Sequence, residues 1–331
     1  MSEHSTFHRY RRVHYLLGRN YWYGIKVPRR ATTAEVLDRK LKMTDKNALP
    51  FFSMGLSTYR VPKEMFSVNR NKVVDALREE IVGFDDFVLY LEGGKSLTRN
   101  DSDHEPVFRQ ESYFYYLFGV TEPDHCGLIY LKTGKTVLFT PRLGRDYATI
   151  MGHVPMPDDI KLKYHVDDVL FTDVIEEELA GFCSRSKGRK VLVLSGTNSD
   201  SGKQYQPPNF TTDDIIMDSG ILFPILSECR VTKSKMELDL IRHCTEVTSL
   251  AHVFTMKHMK PGMMEYQGES LFRHYIYYNF GARHVGYTSI CGCGPNSAIL
   301  HYGHAGGKNI QLPTSMFTTK IILTAICHSS K

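Results

Sequence analysis

Four short apolar segments restrict the possible folds of this chain more than any other feature. They span residues 87–91, 127–131, 136–139 and 191–194, and clusters of Gly, Pro, Asn or Asp bound them. Runs of this length that are rich in Val, Leu, Ile, Phe and Tyr are typical of β-strands. Residues 66–82 and 174–182 instead carry their apolar side chains at helical spacing. This alternation predicts an α/β domain from about residue 66 to residue 225.

The length and composition indicate a globular protein with room for a second domain. The chain has 331 residues, of which 42% are hydrophobic and 23% charged. These fractions are close to the average of soluble proteins, and they exclude a mostly disordered chain, a coiled coil and a small disulfide-rich scaffold. No segment approaches the roughly 20 apolar residues of a membrane-spanning helix. We therefore expect a soluble protein with no membrane partner.

The positive charge of the chain is concentrated at its amino terminus. Residues 1–42 contain ten Lys or Arg and three acidic residues, a net charge of +7. Because the whole chain has a formal charge of +5, residues 43–331 sum to −2. Basic residues in a terminal arm do not form the basic face that nucleic acids bind, and we expect no nucleic-acid partner.

The arm is either a mitochondrial transit peptide or an extension ahead of a true start at Met43. Pro28 and three consecutive aromatic residues would interrupt a presequence helix, which favours the extension. In both cases the arm is predicted to be disordered and outside the fold.

A second unit follows a polar connector at residues 228–235. Ser234 and Glu237 have the spacing of a capping box, which predicts a helix from there to about Met259. The apolar positions of that helix are Leu238, Ile241, Val247 and Ala251. A second helix is predicted over residues 265–278, then a strand over 286–291, a Gly-rich turn over 292–296 and a second strand over 300–302.

Few residues of the second unit suggest chemistry. His301 and His304 lie in a His-Tyr-Gly-His sequence, but no Asp or Glu occurs among the 62 residues 270–331. Metal binding by this segment alone is therefore not expected. Cys291 and Cys293 are predicted to be two core-facing side chains of one strand, because residues two apart point to the same face. The seven cysteines are odd in number and irregularly spaced, which indicates free thiols in a reducing compartment.

Several segments together resemble the prolidase (Xaa-Pro dipeptidase) family of M24 peptidases. They are residues 108–112, 118–123, 141–143, 198–202, 228–230, 287–292 and 296–306. The resemblance covers about residues 50–307. It implies an α/β (α+β) fold, with a creatinase-like amino-terminal domain at 50–226 and an incomplete pita-bread metallopeptidase domain at 227–307. Residues 308–331 form a divergent tail, which has the character of a retained intron, a frameshift or a mispredicted exon.

The resemblance also implies an activity. Members of the family hydrolyse the peptide bond before a C-terminal proline, using a water activated by two divalent metals, typically Mn²⁺. The metals are held by two Asp, one His and two Glu, and His301 corresponds to a histidine that contacts the substrate. The family members are usually cytosolic homodimers that act on Xaa-Pro dipeptides.

The chain departs from the family at about Lys308, before the region where the five metal ligands occur. None of these ligands can be assigned here, so no catalytic residue and no metal ligand is predicted. Three interpretations remain open. The sequence is an incomplete record of a working metallopeptidase, or a catalytically inactive short form that pairs with full-length subunits. Alternatively, it is a binding module that takes Xaa-Pro dipeptides at His301 without metal.

Overall fold

The computed structural model describes residues 21–22, 25–26, 49–55, 58–199, 201–303 and 319–322. The basic arm, which is predicted to be disordered, lies outside these residues except for Tyr21–Trp22 and Ile25–Lys26, which pair as an antiparallel hairpin. Most of the tail after residue 308 also lies outside them. Within it, the structure describes only the last strand.

The strands and helices follow one another in a mixed order. The strands are β1 Tyr21–Trp22, β2 Ile25–Lys26, β3 Phe51–Phe52, β4 Val61–Pro62, β5 Phe87–Glu92, β6 Cys126–Tyr130, β7 Thr136–Thr140, β8 Asp168–Phe171, β9 Lys190–Leu192, β10 Gly196–Thr197, β11 Gln204–Tyr205, β12 Met217–Asp218, β13 Ile290–Cys293 and β14 Thr319–Ile322. The α-helices are α1 Glu64–Glu80, α2 Ser112–Phe118, α3 Arg145–Met151, α4 Pro157–Tyr164, α5 Ile175–Ser184, α6 Leu222–Val231, α7 Lys235–His258 and α8 Glu265–Phe280. In the part of the chain that the structure describes, 3₁₀-helices cover Phe84–Asp86, Thr172–Val174 and Gly294–Ala298.

The first unit is built on a six-stranded mixed sheet with the order β12-β9-β5-β6-β7-β8. Both faces of this sheet are covered, which explains why its strands are apolar throughout rather than alternating with polar residues. In β5, Leu89 and Leu91 pack with α1, α2 and α6, whereas Val88 and Tyr90 pack against α5 on the opposite face. The predicted α/β domain and its four core strands are thus confirmed. Residues 133–135 lie in the turn of the antiparallel hairpin β6–β7.

The second unit consists of α7 and α8 packed together, followed by a small hairpin of β13 and β14. The buried side of α7 is formed by Leu240, Cys244, Val247 and Ala251. The sequence also predicted Leu238 as an apolar position of this helix, but Leu238 is 40% exposed. The expectation is confirmed for Val247 and Ala251 and wrong for Leu238. Several apolar positions fit a helical period, and only the packing partner determines which side is buried.

Three boundaries also differ from the sequence analysis. Residues 228–231 are the last turn of α6, so the connector between the units is limited to 232–234. The predicted strand over 286–291 begins only at Ile290 and continues to Cys293. Residues 300–302 form no strand and lie in an irregular turn. Gly and Pro after β13 bend the chain at once, which prevents a second extended segment here.

Among the described residues, no helix is both long and apolar enough to cross a membrane.

Candidate functional site

The candidate site is the last residue of β13 and the turn that follows it, residues 293–303, referred to below as the His301 turn. Gly292 enters it where the backbone folds back closely: a Cβ on this residue would lie 2.9 Å from the carbonyl oxygen of Asn296. Only glycine fits such an approach. The 3₁₀-helix Gly294–Ala298 then leads to His301, which is exposed, and to Tyr302, which is buried. The structure therefore places His301 at the surface of a tightly folded turn, whereas His304 lies outside the described residues.

The buried carboxylate of Glu265 anchors this turn through hydrogen bonds. Glu265 is the first residue of α8 and is only 3% exposed. Its Oε1 accepts hydrogen bonds from the Cys293 backbone N–H at 2.7 Å and from Asn296 Nδ2 at 3.0 Å. Its Oε2 accepts from the Tyr302 hydroxyl at 2.7 Å, and this bond raises the pKa of Tyr302. Three donors and the positive end of a helix compensate for removing the carboxylate from water.

The two cysteines of β13 contribute no nucleophile to the site. Cys291 and Cys293 are 2% and 1% exposed, which confirms the prediction that both face the core. Burial, together with the charge of Glu269, raises the pKa of Cys291 to about 12. Burial and the charge of Glu265 also raise the pKa of Cys293. Both thiols therefore stay protonated near neutral pH, and a thiol is a far weaker nucleophile than a thiolate.

The first unit contacts the segment that leads into β13 through Arg109. Its Nη1 donates to the carbonyl oxygen of Val285 at 2.9 Å. Next to it, the Glu111 carboxylate caps α2 by accepting from the backbone N–H groups of Tyr113 and Phe114 at 3.1 and 2.7 Å. Arg109 and Glu111 are thus both engaged in internal hydrogen bonds. The 108–112 motif thus has a structural role, joining the two units near the candidate site.

The described residues do not provide the donors of a two-metal centre. Among them, no group of three or more His, Cys, Asp or Glu is arranged to hold a metal ion. The Glu265 carboxylate is engaged by three hydrogen-bond donors, and the sequence offers no carboxylate after Glu269. Two Mn²⁺ would require several carboxylates in one place. The residues present therefore do not fit the metal centre that the family resemblance implies.

Sequence reasoning singled out His301 but missed the residues that hold its turn. Glu265 was assigned only as the start of a helix, where an acidic residue is ordinarily an exposed partner of the helix dipole. Its position as one of the last two acidic residues of the chain was the available signal. Asn296 and Tyr302 are polar residues beside glycines, and nothing local distinguishes them from residues of an exposed loop.

Comparisons with known proteins identify both units. Residues 66–192 match the family model "Aminopeptidase P, N-terminal domain", and residues 239–323 match "Metallopeptidase family M24". The chain is 42% identical to the Xaa-Pro dipeptidase of Homo sapiens and 43% identical to that of Pongo abelii, in each case over 261 residues. These alignments cover 78% of this chain and 52% of each relative. The chain therefore spans about half the length of the curated relatives it matches.

Solved structures resemble the chain in fold. A putative aminopeptidase P from Bacillus anthracis superimposes with a TM-score of 0.62 at 19% identity, covering 76% of this chain and 58% of that one. Aminopeptidase P from E. coli with the inhibitor Pro-Leu gives a TM-score of 0.60 at 24% identity, covering 76% and 56%. At these identities the likeness concerns the architecture, a mixed α/β amino-terminal domain followed by part of a pita-bread domain.

Proposed function

Because the chain belongs to metallopeptidase family M24 and carries an aminopeptidase P amino-terminal domain, we propose that it is part of an Xaa-Pro dipeptidase. The whole enzyme hydrolyses the peptide bond before a C-terminal proline. The observation that carries this proposal is the identity of 41–43% to four mammalian Xaa-Pro dipeptidases over 261 residues. We place the protein in the cytoplasm and expect it to form a homodimer, on the same grounds.

Within this function, His301 is a substrate-binding residue. Its exposure on a turn that is fixed from within the fold supports the assignment, because a binding group must be both accessible and held in place. We assign no metal ligand and no catalytic residue within residues 1–331. The metal of the whole enzyme is proposed to be Mn²⁺, and the chain as given is proposed to be inactive on its own.

The inactivity is tested with the purified 331-residue chain. We expect no release of proline from Gly-Pro in the presence of Mn²⁺, and no tight Mn²⁺ binding by calorimetry, because the described residues offer no cluster of donors. A full-length Xaa-Pro dipeptidase in the same buffer is the positive control. Turnover that EDTA abolishes would contradict the proposal and would mean that this chain supplies its own metal ligands.

The function of the whole protein is tested on the native species. It is captured from its source with an antibody against the first unit, and its intact mass and Gly-Pro hydrolysis are measured. A species heavier than 37.9 kDa with metal-dependent activity is the expected result. A heavier species that does not hydrolyse Gly-Pro or other Xaa-Pro dipeptides would refute the assignment.

A second candidate is a non-catalytic short form that pairs with full-length subunits. Exposed apolar side chains on α7 and α8 favour it, among them Met256 at 60% and Tyr278 at 71% exposure. Burying such side chains against another subunit would remove apolar surface from water. This form predicts a stable complex when the 331-residue chain is co-expressed with the full-length enzyme. Elution as separate species on size-exclusion chromatography would exclude it.

A further inference from the structure

The His301 imidazole has no hydrogen-bond partner of its own among the residues that the structure describes. Its position is therefore set by the backbone on which it is carried. The next residue, Tyr302, is buried and anchored through its hydroxyl. Consecutive Cα atoms are about 3.8 Å apart, so anchoring Tyr302 restricts the position of His301.

The anchor of Tyr302 is a closed hydrogen-bonded triangle. The Tyr302 hydroxyl donates to Glu265 Oε2 and accepts from Asn296 Nδ2 at 3.1 Å, while Asn296 Nδ2 also donates to Glu265 Oε1. The same Oε1 accepts from the backbone of Cys293. One carboxylate thus holds the start, the middle and the end of the His301 turn.

We propose that Glu265 is a positioning residue that fixes the His301 turn and thereby sets the place of the His301 imidazole for the substrate. The proposal rests on the proposed function, in which His301 contacts the dipeptide. A carboxylate suits this task because it accepts several hydrogen bonds at once, and bonds to a charged acceptor are stronger than those to a neutral one. An alanine here would leave the Cys293 N–H and the Tyr302 O–H without their acceptor and would remove one of the two acceptors of Asn296 Nδ2.

The test compares three variants of the full chain. Glu265→Ala removes the acceptor, whereas Glu265→Gln keeps one acceptor oxygen and the size of the side chain. The control is Glu269→Gln, one turn further along α8, where the carboxylate pairs with exposed Arg273 at 3.1 Å. The first readout needs no ligand: amide exchange at Cys293 and the His301 imidazole signal in NMR spectra, assigned with His301→Asn.

We expect Glu265→Ala to speed exchange of the Cys293 amide by about tenfold or more and to shift or broaden the His301 signal. Glu265→Gln should restore most of the native spectrum, and Glu269→Gln should leave it unchanged. This rescue separates positioning by hydrogen bonds from a general loss of folding. Equal spectra for Glu265→Ala and Glu269→Gln would overturn the proposal. If Glu265→Ala fails to fold, Tyr302→Phe takes its place, because it removes the hydroxyl that Glu265 holds. An unchanged His301 signal in that variant would likewise overturn the proposal.

The second readout is a titration with Gly-Pro followed at the His301 signal. We expect the affinity to fall by about tenfold in Glu265→Ala and much less in Glu265→Gln. If Gly-Pro does not move the His301 signal of the unmodified chain, the substrate contact of the proposed function is wrong. The ligand-free spectra then still decide whether Glu265 fixes the turn, so the two failures are distinguishable. Unweakened Gly-Pro binding by Glu265→Ala would overturn the positioning role itself.

Discussion

At the scale of single residues, the hydrogen bonds of the buried His125 determine which ring nitrogen carries the proton in its neutral form. It is 6% exposed, its Nδ1 lies 2.7 Å from the carbonyl oxygen of Pro123, and its Nε2 lies 3.2 Å from the Thr140 hydroxyl. A carbonyl can only accept, so Nδ1 carries the proton and Nε2 is free to accept from Thr140. Burial is the main cause that lowers the pKa of His125, against the opposing effect of the Pro123 carbonyl.

This geometry predicts a pH-dependent contribution to stability. The unfolded chain binds a proton at His125 near pH 6.5, whereas the folded protein binds it only at lower pH. Stability from this residue is therefore complete above about pH 6.5 and is lost as the pH falls below that value. We expect the free energy of unfolding of His125→Gln, measured with urea, to decline less than that of the unmodified protein between pH 7 and pH 5. The exposed His104→Gln is the control, and parallel curves for all three proteins would contradict the prediction.

At the scale of elements, the start of α7 shows how much a helix depends on its first residue. The Ser234 hydroxyl accepts from the backbone N–H of Glu237 at 3.3 Å, and the Glu237 carboxylate accepts from the backbone N–H of Ser234 at 2.8 Å. This is the capping box that the sequence predicted. It begins a 24-residue helix that is separated from α6 by only three residues, so it also fixes the turn between the two units.

Replacing Ser234 by alanine should cost about 1 kcal/mol of stability, since one N–H of the first turn loses its acceptor. The matched control is Ser249→Ala in the same helix, where the hydroxyl is exposed and donates only to the carbonyl oxygen of Thr245. Alanine favours a helix interior, so this control should be neutral or slightly stabilising. Urea unfolding measures both variants. Equal losses in the two would show that the cap contributes nothing specific.

At the scale of the whole molecule, one hydrophobic cluster joins the two units. Met65 and Phe66 of α1 belong to the first unit by sequence, yet they pack in the core formed by α7 and α8. The Phe66 ring also contacts the ring of Tyr115, with centroids 5.7 Å apart, in a perpendicular arrangement. Two units that share buried side chains are expected to lose structure together.

We expect Phe66→Ala to destabilise the protein by about 3–5 kcal/mol, the usual loss for a buried aromatic side chain. Hydrogen exchange in α7 and α8 should rise although the mutation lies in α1. The control is Phe182→Ala, which removes the same ring from the opposite face of the first-unit sheet. If both variants change exchange in α7 and α8 equally, Phe66 does not couple the units in particular.

The sequence by itself determined the classes and order of the elements. The apolar strands β5, β6, β7 and β9, the helix α1 and the cap at Ser234 all arise from local patterns, because hydrophobic period and hydrogen-bonding side chains act over a few residues. The core-facing Cys291 and Cys293 were also predictable, since alternation in a strand is a property of its backbone.

Only the tertiary structure decided which of these patterns meet. The buried side of α7, the bond from Arg109 to Val285 and the closure of the His301 turn by Glu265 each depend on residues that are distant in sequence. Glu265 and Tyr302 are 37 residues apart, and no local signal distinguishes a surface glutamate from one that is buried against three donors. Only the folded chain supplies the hydrogen-bond donors that compensate Glu265 for its loss of water. These bonds make a glutamate at the start of a helix the anchor of the candidate site.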